Sequence, residues 1–173
     1  MNDRNKRLNA ADGLDRARRM LDSATLLLDH GHHEDAASNA YYAAHHAARA
    51  LLFSLGLEVR SHEALRALLA QHFERPGLLP RGTVKKLGDA FDVRMKAIYG
   101  VGVHFSRDEA AAWVAWARRF VQDAADHLGD FLATPAPKGP STAREGRAPC
   151  RRRKPTTNGL PAEARRAKAG QEC

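Results

Sequence analysis

The chain lacks the features that place a protein in a membrane or in an oxidising compartment. Its two cysteines, Cys150 and Cys173, both lie near the C-terminal end, so the residues before them can form no disulfide with each other. No apolar run approaches the roughly 18–20 residues of a membrane span. The first seven residues are polar and charged, and no apolar segment follows them as in a secretory signal. We therefore expect a cytoplasmic protein with no membrane association.

Aromatic residues and strand patterns are also scarce. Aromatics make up only 6% of the 173 residues, and no segment alternates between apolar and polar residues as a half-buried strand does. Hydrophobic residues still reach 43%, which is enough for one packed core, and alanine, leucine and arginine are abundant. Because these three residue types favour helix over sheet, the sequence predicts an all-α fold.

Excess charge of one sign is confined to the end of the chain. Residues 1–130 carry 18 Lys+Arg against 17 Asp+Glu, whereas residues 131–173 carry 10 against 3 and hold six of the eight prolines. The segment 131–173 has little periodic apolar pattern, so burial cannot offset the entropy cost of ordering it. We therefore predict a helical domain over 1–130 and a disordered basic tail over 131–173. The tail is either a solvated extension without a partner or an arm that binds RNA or DNA phosphates. The candidate phosphate contacts are Arg151, Arg152, Arg153 and Lys154.

Apolar spacing and cap residues predict five helices. Asp12 is expected to cap the first helix and Ser61 the short third one, while Ser106 and Glu109 form a capping box before the last. The apolar stripes are expected to run as far as Leu55 in the second helix and Ile98 in the fourth. The sequence thus predicts an antiparallel up-and-down bundle with four main helices, at about 12–31, 34–55, 84–99 and 106–130, and one short helix at 61–72.

The second helix carries a line of polar residues among alanines. The steps of three, four and three residues between them place the four on one side of the helix. They either line a cleft or a dimer interface, or form a buried hydrogen-bond network in which the tyrosine and the histidine satisfy each other. The four are Asn39, Tyr42, His46 and Arg49.

An arginine interrupts the apolar stripe of the fourth helix. Arg94 follows Phe91 by three residues and must find an anion or a hydrogen-bond cluster if it is buried. Tyr99 and His104 follow at the end of this helix. An arginine with a histidine or tyrosine suits phosphodiester chemistry without a metal, because the arginine stabilises charge on phosphorus and the other residue moves a proton. The alternative is a structural ion pair between Arg94 and a carboxylate.

Cofactor motifs are missing. The sequence contains no P-loop, no dinucleotide fingerprint and no paired-cysteine zinc site. Four possible ligands of a transition metal lie together in the turn between the first two helices, but a local cluster without partners elsewhere is more often a solvated turn. We expect neither a metal nor a cofactor. The four possible metal ligands in this turn are His30, His32, His33 and Glu34.

The segment from Ala36 to Leu52, AASNAYYAAHHAARALL, resembles the YYA-xx-H-A-A-R-A-L-L helix of a branch of the HEPN family. Ser61 and His62 at the start of the next helix fit the same branch, and the resemblance spans roughly residues 10–130. It implies an up-and-down helical bundle and a homodimer. It also implies a metal-independent endoribonuclease, often the toxin of a pair whose antitoxin is a minimal nucleotidyltransferase.

The resemblance also assigns candidate site residues. The family's signature is an arginine followed, after about four to six residues, by a histidine in a cleft built by two protomers. Arg94 matches the arginine, but nine residues separate it from His104, and Ile98 and Tyr99 stand where this branch usually has Asp-Tyr. Two hypotheses follow. One is a ribonuclease in which Arg94 contacts the phosphate and His104 or Tyr99 moves the proton; the other is a non-catalytic module that binds RNA, a nucleotide or a nucleotidyltransferase.

Overall fold

Five α-helices and one π-helical turn make up the secondary structure of residues 1–134, the part of the chain that the computed structural model describes. No strand occurs among these residues, and the predicted all-α bundle of four main helices and one short helix is confirmed. The candidate phosphate contacts at 151–154 lie outside the described residues. The elements are α1 Asp3–Asp29, α2 His33–Ser54, α3 His62–Leu69, the π-helical turn Ala70–Glu74, α4 Thr83–Tyr99 and α5 Arg107–Ala133.

Helix α2 is the centre of the bundle. It packs against α1, α3, α4 and α5, and eight of its alanines are buried. Small side chains all around a helix let its neighbours approach closely. At the closest approach of α1, a Cβ atom on Gly13 would lie only 3.1 Å from the Cβ of Ala50. The polar side chains in the middle of α2, such as Tyr42, His45 and His46, are therefore partly buried against neighbouring helices.

The predicted caps are correct at two helices and wrong at one. The Ser61 side chain accepts a hydrogen bond from the Ala64 amide, and Ser106 forms the predicted capping box with Glu109. Helix α1, however, begins at Asp3, capped by the Asn2 side chain, and Asp12 lies within it, paired with Arg16 at 2.9 Å. The first turns of α1 are mostly exposed, so they lack the apolar stripe from which the helix start was predicted.

Two ends of the predicted apolar stripes are exposed. Leu55 is 46% exposed because it follows the last residue of α2 as its C-cap. Ile98 is 47% exposed, in the last turn of α4, whereas Leu87 on the same stripe is buried. Burial on α4 thus stops before the helix does.

The bundle extends beyond residue 130. Helix α5 runs to Ala133, and Phe131 and Leu132 pack against the core. The Arg7 guanidinium lies 4.6 Å from the centre of the Phe131 ring and donates to the Phe131 carbonyl. These residues were predicted to start the tail, but they have an apolar surface to pack against. None of the helices within residues 1–134 is long and apolar enough to cross a membrane.

Candidate functional site

Arg94 lies on α4, and its side chain is half-buried against α2. Its Nη2 donates a hydrogen bond to Tyr42 Oη at 2.8 Å, and its Nη1 lies 3.1 Å from the Met95 sulfur. Its Nε is buried with no hydrogen-bond partner in the described part of the chain, and no carboxylate there lies within 4.0 Å of the guanidinium. Among residues 1–134, Arg94 therefore has no ion-pair partner. A partly desolvated guanidinium paired only with neutral groups retains donors for an anion.

The structure brings Tyr99 to Arg94 but not His104. The centre of the Tyr99 ring lies 5.9 Å from Arg94 Cζ, and Tyr99 is 67% exposed. The His104 side chain is 89% exposed, and its Nδ1 lies 3.7 Å from Oε1 of Glu34. Glu34 precedes Tyr42 by eight residues on α2, a distance of about 12 Å along the helix. Within one chain, His104 therefore lies beside the first turn of α2, whereas Arg94 lies beside the middle of that helix.

The loop before α5 accounts for the placement of His104. The Phe105 amide donates to Glu34 Oε1 at 2.9 Å, and the Phe105 carbonyl lies 3.0 Å from Nδ1 of His33. The hydrogen bond from Phe105 is the main reason that the pKa of Glu34 is lowered, and the charges of His104 and His33 add to the effect. These contacts hold the loop at the start of α2. Within residues 1–134 no three His, Cys, Asp or Glu side chains are arranged to hold a metal ion.

The polar line on α2 is divided between different neighbours. Tyr42 faces α4 and accepts from Arg94, whereas Asn39 donates to a carbonyl of its own helix, that of Asp35. His46 and Arg49 line a separate cavity of about 320 Å³ beside α1. Burial, followed by the charge of Arg49, lowers the pKa of His46. The line therefore forms neither one continuous cleft wall nor a Tyr42–His46 pair.

A tyrosine–histidine network does exist, but one residue earlier on α2. Tyr41 is only 2% exposed, and its hydroxyl lies 2.6 Å from Nδ1 of His62 and 3.3 Å from Nδ1 of His45. A phenol has a single proton to donate, so at most one of the two Nδ1 atoms accepts a hydrogen bond from Tyr41, and the other can bond it only as a donor. The sequence placed His62 at the start of α3, but only the packing of α3 on α2 shows the contact.

The network and Arg94 form one cluster, which we call the Arg94–His62 cluster. It consists of Tyr41, Tyr42, His45, His62 and Arg94. The rings of Tyr41 and Tyr42 lie 5.5 Å apart, which joins the two halves. The His62 ring lies 4.6 Å from the ring of Phe91, three residues before Arg94 on α4.

Burial keeps the histidines of the cluster neutral. It lowers the pKa of His45 to about 4, and the neighbouring His62 adds to that shift. Burial also lowers the pKa of the more exposed His62, with a contribution from the charge of Arg94. The pKa of Tyr41 is raised by burial. The cluster thus combines a cation that has no carboxylate partner among residues 1–134 with neutral imidazoles, a set suited to binding a phosphate and transferring a proton without a metal.

His62 is accessible from two small cavities. One, of about 190 Å³, is lined by Tyr41, Phe91 and Arg66 as well as His62. The other, of about 120 Å³, lies between His62 and Arg49. Since Nδ1 of His62 is bonded to the buried phenol of Tyr41, the opposite nitrogen, Nε2, is the one available to a ligand.

Comparison with known proteins finds matches over the same helices. The HEPN domain family matches residues 10–127. A UPF0332 protein from Gloeobacter violaceus is 35% identical over 118 residues, which cover 68% of this chain and 94% of the relative. UPF0332 proteins from Thermotoga maritima (31% over 117 residues, 68% and 88%) and Archaeoglobus fulgidus (33% over 109 residues, 63% and 86%) are similar as well. The HEPN match reaches from α1 into α5 and includes the whole Arg94–His62 cluster.

Proposed function

Because the chain belongs to the HEPN domain family, we propose that it is a metal-independent endoribonuclease, the toxin of a pair whose antitoxin is a minimal nucleotidyltransferase. The observation that carries the proposal is the environment of Arg94. Its guanidinium is half-buried against the Tyr42 phenol and has no carboxylate within ion-pair distance among residues 1–134. A phosphate of RNA would supply the missing negative charge through two parallel hydrogen bonds.

In the proposed reaction the ribose 2′-OH attacks the adjacent phosphorus. The O2′–P bond forms, the P–O5′ bond breaks, and the products are a 2′,3′-cyclic phosphate and a free 5′-hydroxyl. Arg94 stabilises the charge that develops on the phosphoryl oxygens. One proton leaves the 2′-OH and another is delivered to O5′, so the site needs a general base and a general acid. DNA lacks the 2′-OH, so only RNA is a substrate.

Three side chains are candidates for the proton transfer. Tyr99 is adjacent to Arg94, whereas His104 is held beside Glu34 and would have to come from a second protomer. His62 belongs to the same cluster as Arg94 within one chain, and Tyr41 fixes its ring orientation. Orientation by a buried partner is the usual requirement for a histidine base. We therefore favour His62.

Replacement of Arg94 tests the ribonuclease proposal. Arg94→Ala is expected to lower the rate of RNA cleavage about a hundredfold, the effect of losing one donor to the transition state. Arg94→Lys keeps the positive charge but loses the planar pair of donors of the guanidinium. Its cleavage rate should therefore lie between those of Arg94→Ala and the wild type. Arg118→Ala is the matched control, because Arg118 is exposed on α5 and bonds Thr25. Cleavage of a labelled RNA and growth after induction are the measurements; a harmless wild type, or an equally toxic Arg94→Ala variant, contradicts the proposal.

An exposed apolar patch beside Arg94 supports a homodimer. The residues of this patch lie in the last turns of α4 and just after it, and one of them, Val101, is fully exposed. Contiguous exposed apolar residues often mark an interface between proteins, and a dimer would place the two Arg94 side chains near one shared cleft. The patch consists of Met95, Ile98, Tyr99 and Val101.

Ile98→Asp is expected to convert the dimer to a monomer because it places a charge in this patch. Leu26→Asp is the matched control, since Leu26 is 62% exposed on α1, outside the patch. Light scattering should give twice the 19.0 kDa of one chain for the wild type and for Leu26→Asp, and the single mass for Ile98→Asp. A wild type that is monomeric at micromolar concentration excludes the dimer.

The second candidate function is a non-catalytic module that binds RNA, a nucleotide or a nucleotidyltransferase. The observation that favours it is the contact of His104 with Glu34 rather than with Arg94. The module predicts RNA binding with no cleavage and no toxicity. A short nucleotidyltransferase reading frame beside the gene, with rescue of growth on co-expression, would support the toxin pair instead.

A further inference from the structure

A second cleft, distinct from the Arg94–His62 cluster, lies between the start of α4 and the middle of α5. Its volume of about 440 Å³ is within the usual range of ligand sites, roughly 300–1,000 Å³. Arg81 and Lys86 line one wall, and Trp116, Arg119 and Phe120 line the other. No residue of the cluster lines this cleft. Lys86 precedes Arg94 by eight residues on α4, about 12 Å along the helix.

Aromatic rings form one wall of the cleft. The Trp116 and Phe120 rings are parallel within 8°, with their centres 5.9 Å apart, and the Trp113 ring stands edge-on to Trp116 at 6.0 Å. Phe120 is buried and holds the partly exposed Trp116 in place. A flat, fixed and partly exposed indole is a surface on which a nucleic-acid base can stack.

The cations of the cleft have no carboxylate partner. Arg81, Lys86 and Arg119 are exposed, and within residues 1–134 none of them lies within 4.0 Å of a carboxylate oxygen. Lys86 Nζ instead lies 4.2 Å from the centre of the Trp113 ring. Asp123 is the single acidic residue in the lining, so the cleft carries a net positive charge that matches a phosphodiester.

We propose that this cleft binds one nucleotide of single-stranded RNA, with the base stacked on Trp116 and the phosphate held by Lys86 and Arg119. Aromatic stacking combined with unpaired cations is the common basis of single-strand recognition. The choice of RNA as ligand rests on the proposed function. The site itself requires no cleavage, because it anchors a strand away from Arg94.

The two tryptophans of the chain make the site directly observable. Trp116 lines the cleft, and Trp113 stands edge-on to Trp116 at 6.0 Å, so intrinsic fluorescence reports on the cleft and its immediate surroundings. The probe is a 2′-O-methyl pentauridylate, which has no 2′-OH nucleophile and stays intact. Titrating the full chain should give saturable quenching. Trp116→Phe keeps a smaller ring and should weaken the binding, which is then followed by anisotropy of a labelled probe.

A pair of double variants separates the cleft from general electrostatic attraction. Lys86→Gln with Arg119→Gln should weaken binding at least tenfold and reduce the slope of log K against log salt by about 0.7, because the two cations hold one phosphate. Lys85→Gln with Arg118→Gln removes the same charges from the adjacent positions of the same helices. Lys85 pairs with Asp89 and Arg118 bonds Thr25, so these side chains face away from the cleft. This control should bind as the wild type does.

The site would be overturned by the absence of saturable quenching or by equal weakening by both double variants. The outcome is independent of the ribonuclease proposal. A wild type that binds the probe but cleaves no RNA would reject the ribonuclease while leaving the cleft in place. If the cleft instead joins two copies of the chain, quenching will follow protein concentration without RNA, which also overturns the proposal.

Discussion

His62→Asn is expected to lower the rate of RNA cleavage roughly 10²–10⁴-fold, the range for loss of a general acid or base. His104→Asn should leave the rate within a few-fold of the wild type. The reason is the difference between their surroundings. Tyr41 orients His62 through a 2.6 Å contact inside the cluster that contains Arg94, whereas His104 is almost fully exposed beside Glu34. Single-turnover cleavage of one RNA by both variants is the measurement.

The pH profile shows whether His62 transfers the proton or only supports the fold. A histidine base acts in its neutral form, and burial together with Arg94 lowers the pKa of His62 below 6.5. The cleavage rate of the wild type should therefore rise with pH below neutrality and then level off. The residual cleavage by His62→Asn should no longer rise with pH in this range. Tyr41→Phe should keep residual activity and shift the pH at which the rate rises. An active His62→Asn together with an inactive His104→Asn would assign the proton to His104 across the dimer.

The sequence predicted the elements of this site better than their contacts. Arg94 was identified because a guanidinium interrupts an apolar stripe, and the YYA segment placed α2 in the HEPN family. The polar line failed as a unit because residue spacing assigns a side of one helix but not the helix that covers it. Since α2 is surrounded by neighbours, Tyr42 meets α4 while His46 and Arg49 line a cavity beside α1.

The histidine network was missed for a related reason. Tyr41 has the spacing of a core residue and is indeed buried, so nothing local distinguishes it from a tyrosine that only fills space. What distinguishes it is a hydroxyl that meets His62, 21 residues away, across the contact of α3 with α2. A buried hydroxyl needs a partner, so a tyrosine in an alanine-rich stripe with a histidine four residues later is a usable signal. Applied here, this rule finds the pair with His45 but not the one with His62.

Lowering the pH from 7 to 4 is expected to destabilise the bundle by about 3 kcal/mol through His45 alone. The pKa of His45 is about 4 in the folded chain, against 6.5 for an exposed histidine. Between these values the unfolded chain binds a proton that the folded chain does not. Stability is therefore complete above pH 6.5, falls as the pH drops to about 4, and is not reduced further by this group below 4. The lowered pKa values of His46 and His62 act in the same direction.

Urea denaturation of His45→Gln separates this effect from that of the carboxylates. Glutamine can still bond the Tyr41 hydroxyl but cannot take up the proton, so the variant should lose much less stability than the wild type between pH 6.5 and 4. His104→Gln makes the same change at an exposed position and should follow the wild-type curve. The lowered pKa values of Glu34 and Glu109 remove stability only as the pH falls below their usual 4.5, a lower window. If the wild type and His45→Gln lose stability equally between pH 6.5 and 5, His45 is not held neutral by burial in the folded chain.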